Sequence, residues 1–493
     1  MSHLLGESVY LWMPELFLSI GALGVMLLGA FQRPAQQTVE SSESAPSLIN
    51  LLTGVSIASA ATALWSTTTL SWREGFFGLI IFDQLSLVFR WLALGTIAMV
   101  TMMAASSRDV SRAWLGEYQG LLLVVGVGLM AMAQANHLLM AYLALETVSL
   151  TSYLLVALTR DQRSSEASLK YLLFGAMSSG IMLFGMSLLY GMTGQLGFRH
   201  LQQAVQMLEP SLASLGAVAM SLVLAGLAFK ISMVPFHMWT PDVYEGAPIP
   251  VTAMLSVGPK AAGLALLVRL SDVFGPMWQA AVPLLCVLTV VTMTLGNVVA
   301  LVQGNVKRLL AYSTIGQVGY LLIGFVVNTT LGLEALLLYL VAYLFMNLGA
   351  FACVVAVVND TRSESLPAFR GLARRAPLLA FGCTLFLLSL AGIPPLLGFL
   401  GKFLLFGSAI QANLTGLAIA GVLNSAVALY YYVLIIRQMY LEAPDSPLVL
   451  RPSMPLRVAV AVCAVATLGF GLFPNALLHA IQSVVIGPLL FIG

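Results

Sequence analysis

Fourteen apolar runs, each close to or beyond the ~20 residues an α-helix needs to cross a bilayer, govern what this chain can become. Their approximate limits are 11–31, 48–69, 79–104, 117–135, 137–158, 166–192, 212–246, 249–271, 277–302, 307–328, 333–358, 377–412, 416–438 and 456–474, and an apolar tail follows to Gly493. Hydrocarbon offers no water to a bare peptide group, so only helices and closed barrels span it. These runs are continuous and do not alternate every second residue, which selects helices. Composition agrees: 9% of the residues are charged, against roughly 25% in a soluble domain. The expectation is an all-α polytopic membrane protein. The first run begins near Leu11 without a basic leader or cleavage site, and it reads as a retained helix, not a signal peptide.

Charge placement orients the helices. With the N-terminus outside, the inner loops hold fourteen basic residues, among them Arg33, Arg108, Arg163, Lys307, Arg308, Arg362 and Arg375, while the outer loops hold only Arg73 and Arg199. The positive-inside rule favours this arrangement, with both termini outside. The net charge of +2 gives no hint of nucleic acid. Cys286, Cys353, Cys383 and Cys463 form no C-x-x-C pair, and no G-x-G-x-x-G or Walker loop occurs. No metal, iron–sulfur, dinucleotide or ATP site is therefore expected in this chain.

The seventh and twelfth runs are too long for one straight crossing and carry Pro235 and Pro394–Pro395 in their middles. Proline removes a helix hydrogen bond and clashes with the preceding turn, so both are expected to be discontinuous. They run in opposite directions and hold like places in two five-span blocks, spans 4–8 and 9–13. Inverted repeats with a site near the breaks follow from that pattern. The division is 1–116, an N-terminal three-helix segment; 117–271 and 277–438, the two repeats; and 439–493, a last helix and tail. The polar piece 197–210 reads as a surface helix.

Four charges lie near mid-span: Glu146, Lys230 just before the first break, Lys260, and Lys402 just after the second. A charge at the bilayer centre costs at least ~2.5–3.5 kcal/mol, so these point to function. Low dielectric favours the neutral form of a buried acid or base, and a nearby opposite charge favours the charged form. A Glu146–Lys230 pair then acts as a switch: together both stay ionised, and apart the lysine can release its proton. Lys260 and Lys402 carry the proton onward. Lys170, with Glu166 four residues earlier, is divided between relay and ordinary helix pair. His237 is divided between relay and satisfied histidine. Arg90 and Arg269 read as anchors, Asp242 and Glu245 as loop and cap residues, and Ser313 and Tyr320 as helix packing.

The runs "LAFKISMVPFHMWTPDVYEGAP" (227–248), "NVKRLLAYSTIGQVGYLL" (305–322) and "SLAGIPPLLGFLGKFLLF" (389–406) resemble the antiporter-like membrane subunits of respiratory complex I, the NADH-quinone oxidoreductase (NDH-1) family, and within them subunit N, or subunit 2. The resemblance covers essentially the whole chain. It implies a proton-pumping module with no redox centre of its own, with quinone, NADH, FMN and iron–sulfur clusters on other subunits and NADH or ferredoxin as electron source. It implies antiporter-like subunit M and small subunits such as K as partners, with the peripheral arm engaged indirectly, in a bacterial inner or a thylakoid membrane. The family's fifth-, seventh-, eighth- and twelfth-helix charges fall on Glu146, Lys230, Lys260 and Lys402. Lys402 argues against subunit M, which carries glutamate there. Some members have histidine at Gln317, so a titrating relay at that position is not expected here. An Mrp-type cation/proton antiporter and a structural anchor held by buried ion pairs are the competing readings.

Overall fold

A computed structural model describes residues 2–31, 44–68, 72–444 and 449–486. The N-terminal segment contains α1 (Ser2–Leu11), α2 (Met13–Phe31), α3 (Ser44–Ser66) and α4 (Gln84–Ser106), with a short hairpin of β1 (Arg73–Gly75) and β2 (Ile80–Phe82) before α4. The third apolar run was expected to be helical from residue 79; its start is strand instead. Phe76, Phe77 and Gly78 take positive φ in the hairpin turn. Asp83 then caps α4, its carboxylate accepting from Ser86 N at 2.7 Å, and fixes the helix start there.

Next come α5 (Leu115–Gln134), α6 (Leu138–Val156), α7 (Gln162–Thr193), the short α8 (Phe198–Gln206), α9 (Ala213–Ile231), α10 (Trp239–Gly246) and α11 (Ile249–Phe274). The rest comprises α12 (Pro276–Ala300), α13 (Val306–Val327), α14 (Thr330–Thr361), α15 (Leu372–Arg375), α16 (Pro377–Ala391), α17 (Leu397–Gln411), α18 (Thr415–Tyr440), α19 (Met454–Leu472) and α20 (Asn475–Ile486). Among the described residues thirteen helical segments are long and apolar enough to cross a membrane, and the shorter α16 and α17 together make up the twelfth run. α8 buries Phe198, Leu201 and Val205 on one face, as a surface helix does.

Both expected breaks are present. α9 ends where Ser232 enters the left-handed region (φ 67°), and α16 ends where Gly392 does (φ 90°); a cis X–Pro bond follows in each break, at Val234–Pro235 and Pro394–Pro395. Helix lengths recur around them: α7 and α14 have 32 residues each, and α11 and α18 have 26 each.

The centre of the bundle is α11, α13 and α14, buried on nearly every side. Lipid tails are as apolar as the helices, so burial alone does not drive association in a membrane, and close contact must. α12 and α13 show how close: a Cβ on Gly296 would lie 2.4 Å from the backbone nitrogen of Gly316. Two buried ion pairs fasten the N-terminal segment. Arg90 on α4 donates to Glu15 on α2 through Nε (2.9 Å) and Nη2 (2.8 Å), and Gln134 adds a bond to Glu15 at 2.6 Å. Arg269 on α11 holds both oxygens of Asp83, at 2.9 and 2.8 Å, and donates to the Ala133 carbonyl. Both arginines are thus anchors.

Candidate functional site

The last turn of α9 carries Lys230 into the protein interior, where its side chain is 1% exposed. Its ammonium donates to Ser149 Oγ on α6 at 2.9 Å. The expected direct ion pair with Glu146 is not formed. Glu146 lies one helical turn before Ser149 and faces Lys230 electrostatically, but the serine hydroxyl takes the ammonium, and Glu146 Oε1 is buried without a protein donor. The reason is placement on α6. Glu146 is half-buried, beside the outward-facing Leu143 and Leu150, while Ser149 points into the bundle.

Lys260 sits midway along α11, fully buried, and its Nζ has no hydrogen-bond partner. It rests over the rings of Trp239 (4.7 Å) and Tyr244 (5.5 Å), both supplied by α10. Aromatic faces attract a cation without accepting a directed bond, so the box can hold the ammonium while its N–H groups stay unbonded. The stem of Lys230 reaches α11 at Gly263, one turn beyond Lys260. A Cβ there would meet Lys230 Cβ and Cγ at 3.9 Å and Ile231 at 2.6 Å.

Lys402 follows the second break and uses what the break releases. Its Nζ donates to the carbonyls of Leu390 (2.9 Å) and Ala391 (3.2 Å) and to Ser425 Oγ (3.2 Å), and it lies 4.1 Å from the centre of the Tyr320 ring. These carbonyls belong to the last turn of α16, whose intrahelical donors the break has removed. Gly392 serves two needs. It takes a conformation that L side chains rarely adopt, and a Cβ on it would come within 3.0 Å of Lys402 Cδ.

Between Lys260 and Lys402 stands a row of buried polar groups that sequence reading missed. α14 presents Tyr339, Tyr343 and Asn347 at four-residue spacing, hence on one face. Asn347 donates to Ser256 Oγ (2.6 Å), one turn before Lys260 on α11, and Tyr343 donates to Thr314 Oγ1 (3.1 Å). Tyr339 donates to Gln317 Oε1. Gln317 Nε2 in turn donates to Tyr432 OH and to the Leu390 carbonyl, each at 3.1 Å. Leu390 O is the same acceptor that Lys402 uses. Ser313 and Tyr320, read as helix packing, make bonds between helices: Ser313 with Tyr432, and Tyr320 with Asn297, its ring lying beneath Lys402. The four-residue spacing on α14 was readable in the sequence. Its partners, on α11 and α13, were not.

Lys170 and His237 stand outside this line. Lys170 pairs with Glu166 (2.8 Å) and Asp242 (3.2 Å). His237 lies half-buried in the first break, beside the Pro235 backbone. Asp242 and Glu245, expected in a loop, are helical residues of α10 and ion-paired. Arg308 on α13 contacts both, at 2.9 and 2.8 Å, and Arg163 reaches Glu245 at 2.9 Å. Glu364 extends the network by accepting from Lys307 (2.7 Å) and Arg163 (3.2 Å). The second half of the broken seventh run, α10, is thereby clamped to α7 and α13. Burial pushes the Glu364 carboxyl up, but Lys307, Asn305 and Arg163 outweigh it and hold it below its ordinary 4.5. A depressed carboxylate contributes stability above its unfolded value and loses it as pH falls through the folded one. The clamp is therefore expected to be pH-independent from pH 8 down to about 5, and to loosen only in stronger acid. Protease cleavage of the 361–366 loop across that range would show it, with Glu364→Gln cleaved already at neutral pH.

Residues 135–428 match the transmembrane family described as NADH:quinone oxidoreductase/Mrp antiporter. NAD(P)H-quinone oxidoreductase subunit 2 of Thermosynechococcus vestitus is 46% identical over 431 residues, covering 83% of this chain and 82% of the relative. NADH-quinone oxidoreductase subunit N of an Anaeromyxobacter species is 40% identical over 500 residues, covering 94% of each. A chain of respiratory complex I from Thermus thermophilus, solved with bound Aureothin, superimposes with a TM-score of 0.79 at 33% identity, covering 95% of this chain and 99% of that one. The long broken helices, the buried lysines and these likenesses agree: the chain belongs to the NADH:quinone oxidoreductase/Mrp antiporter transmembrane family.

Proposed function

We propose that this chain is a proton-translocating membrane subunit of a quinone-reducing NADH or ferredoxin oxidoreductase, coupling quinone chemistry on other subunits to proton movement through its own buried amines. One observation carries the reading: three amines, Lys230, Lys260 and Lys402, are buried in the bundle with no salt bridge among the described residues, and polar pairs on α14 lie between the last two. A structural anchor needs its charges paired, as Arg90 and Arg269 are. Lys260 has no acidic partner and no hydrogen bond at all, an arrangement that costs several kcal/mol when the amine is charged and suits a group that alternates between charged and neutral.

Glu146 sets the charge state of Lys230 across the Ser149 hydroxyl, and its movement toward or away from that turn is the switch. The proton passes to Lys260 in its aromatic box. From there it follows the α14 polar stripe to Lys402, whose freed carbonyls hold the charged form. Lys170 belongs to the clamp on α10 and not to the line. The arginine-rich face is the inner one, with both termini outside, in a bacterial inner or a thylakoid membrane. α5–α11 and α12–α18 form two five-span repeats of opposite orientation. NADH, FMN and iron–sulfur clusters belong to the peripheral arm, and subunits related to M and K are the membrane neighbours.

Lys230→Ala tests the reading in the assembled complex. Proton pumping into proteoliposomes, read with a pH-sensitive dye, is expected to fall about tenfold or more, the loss that ~1.4 kcal/mol of barrier brings. Pumping at the parental rate by a fully assembled Lys230→Ala complex would falsify it.

A further inference from the structure

On the face opposite the arginine network, a cavity of about 390 Å³ opens between the ends of α11, α12, α13 and α14 and beneath α8. Asp272, Trp278, Gln202, Asn328 and Thr329 line its walls, and Gly324 and Phe325 line its floor. Two of its polar atoms are buried without a protein partner: Oδ2 of Asp272, an acceptor, and Nε1 of Trp278, a donor. Buried polar groups are nearly always satisfied. An orphaned acceptor and donor in one polar cavity suit a small species that both gives and takes hydrogen bonds, water or its protonated form.

The floor places this cavity close to the polar line. Gly324 is one turn of α13 beyond Tyr320, a rise of about 6 Å, and Tyr320 carries Lys402 over its ring at 4.1 Å. Leu405, one turn after Lys402 on α17, packs against this point of α13; its Cδ2 would lie 2.8 Å from a Cβ on Gly324. The Gly332 carbonyl and Leu336 Cβ close on the same point, at 2.6 and 3.0 Å, so α17, the helix that carries Lys402, packs directly against the helix that forms the cavity floor. Asp272 is the acidic residue on the cavity wall. The nearest basic group on its own helix, Arg269, is committed to both oxygens of Asp83.

We propose that this cavity is the outer vestibule of the transfer line and that Asp272 takes the proton leaving Lys402 and hands it to bulk water. The O–H bond formed at the carboxylate replaces the N–H bond broken at Lys402, and it breaks again on release, so no other reactant is needed. The proposal rests on the proton-transfer reading above, and Lys402→Ala separates the two.

Asp272→Asn, Asp272→Glu and Lys402→Ala are compared as assembled complexes in proteoliposomes. Asp272→Asn is expected to lower pumping at least about tenfold, the low end of what a proton-transferring side chain supplies, with Asp272→Glu restoring most of it. If Lys402→Ala lowers pumping and Asp272→Asn does not, the exit assignment is wrong and the reading stands. If neither lowers it, both are wrong. Should Asp272→Asn fail to assemble, Leu333→Cys on the cavity wall answers instead. A membrane-impermeant thiol reagent added outside is expected to modify it and cut pumping, with the parent protein unaffected. No modification from outside, or modification without loss of pumping, overturns the vestibule.

Discussion

Replacing Gln317 by leucine is expected to cut proton pumping at least tenfold, although glutamine has no proton to give. Its amide is the junction of the polar line. Oε1 accepts from Tyr339, and Nε2 donates to Tyr432 OH and to the Leu390 carbonyl that Lys402 also uses. Leucine fills similar space and breaks all three bonds. Each buried group left unpartnered costs about 1–3 kcal/mol, so the Gln317→Leu complex will also be less stable, and lost pumping alone would not prove a part in transfer. Gln317→His supplies the control. A neutral imidazole keeps one donor and one acceptor and adds a group that titrates near neutrality. Gln317→His is expected to pump within about twofold of the parent while Gln317→Leu does not, with both assembled and reducing quinone from the same donor. If Gln317→Leu pumps normally, the line does not run through α13, and Lys260 and Lys402 are connected by another route. If histidine fails as badly as leucine, the residue holds helices together and does not position the path.

The fold was legible because hydropathy and proline placement are properties of single segments. The runs 212–246 and 377–412 announced broken helices by length and by Pro235 and Pro394, and Ser232 and Gly392 mark where each gives way. Lys230, Lys260 and Lys402 announced themselves as charges in hydrocarbon. What stayed hidden were partners. Glu146 and Lys230 looked like a salt bridge since both are buried charges, yet which residue of α6 faces inward depends on how α6 and α9 pack, and Ser149 was the one that did. Asp242 looked like a loop residue because "TPDVYEGAP" is rich in turn formers. Its ion pairs with Lys170 and Arg308 span 72 and 66 residues, separations no local pattern encodes. Tyr339, Tyr343 and Asn347 on α14 went unread, because a four-residue spacing of polar groups gains meaning only from the partners on α11 and α13 that accept from them.

Arg90→Ala is expected to be the most damaging substitution away from the transfer line, and its effect falls on assembly, not on pumping. Glu15 is completely buried, and Arg90 gives it two of its three side-chain donors. Truncating Arg90 leaves a carboxylate in hydrocarbon with Gln134 alone, which for a buried pair costs about 3–5 kcal/mol. It also frees the Leu11 carbonyl that Arg90 Nη2 holds at 3.0 Å. α2 and α4 lose their cross-link, and the Arg90→Ala chain is expected to be recovered from membranes at a small fraction of the parental level. Removing both charges should behave differently. Glu15→Gln with Arg90→Met buries no ion, keeps most of the packed volume and lets Gln134 bond an amide, so the double variant should recover most of the lost yield, as replaced buried ion pairs often do. A recovery well above the sum of the single effects would be the coupling of two directly bonded residues. The surviving double variant should also pump normally, since Glu15 and Arg90 take no part in the line from Lys230 to Lys402. A double variant that assembles but does not pump would mean that the N-terminal segment carries protons as well, and that the boundary drawn between anchor pairs and transfer groups lies in the wrong place.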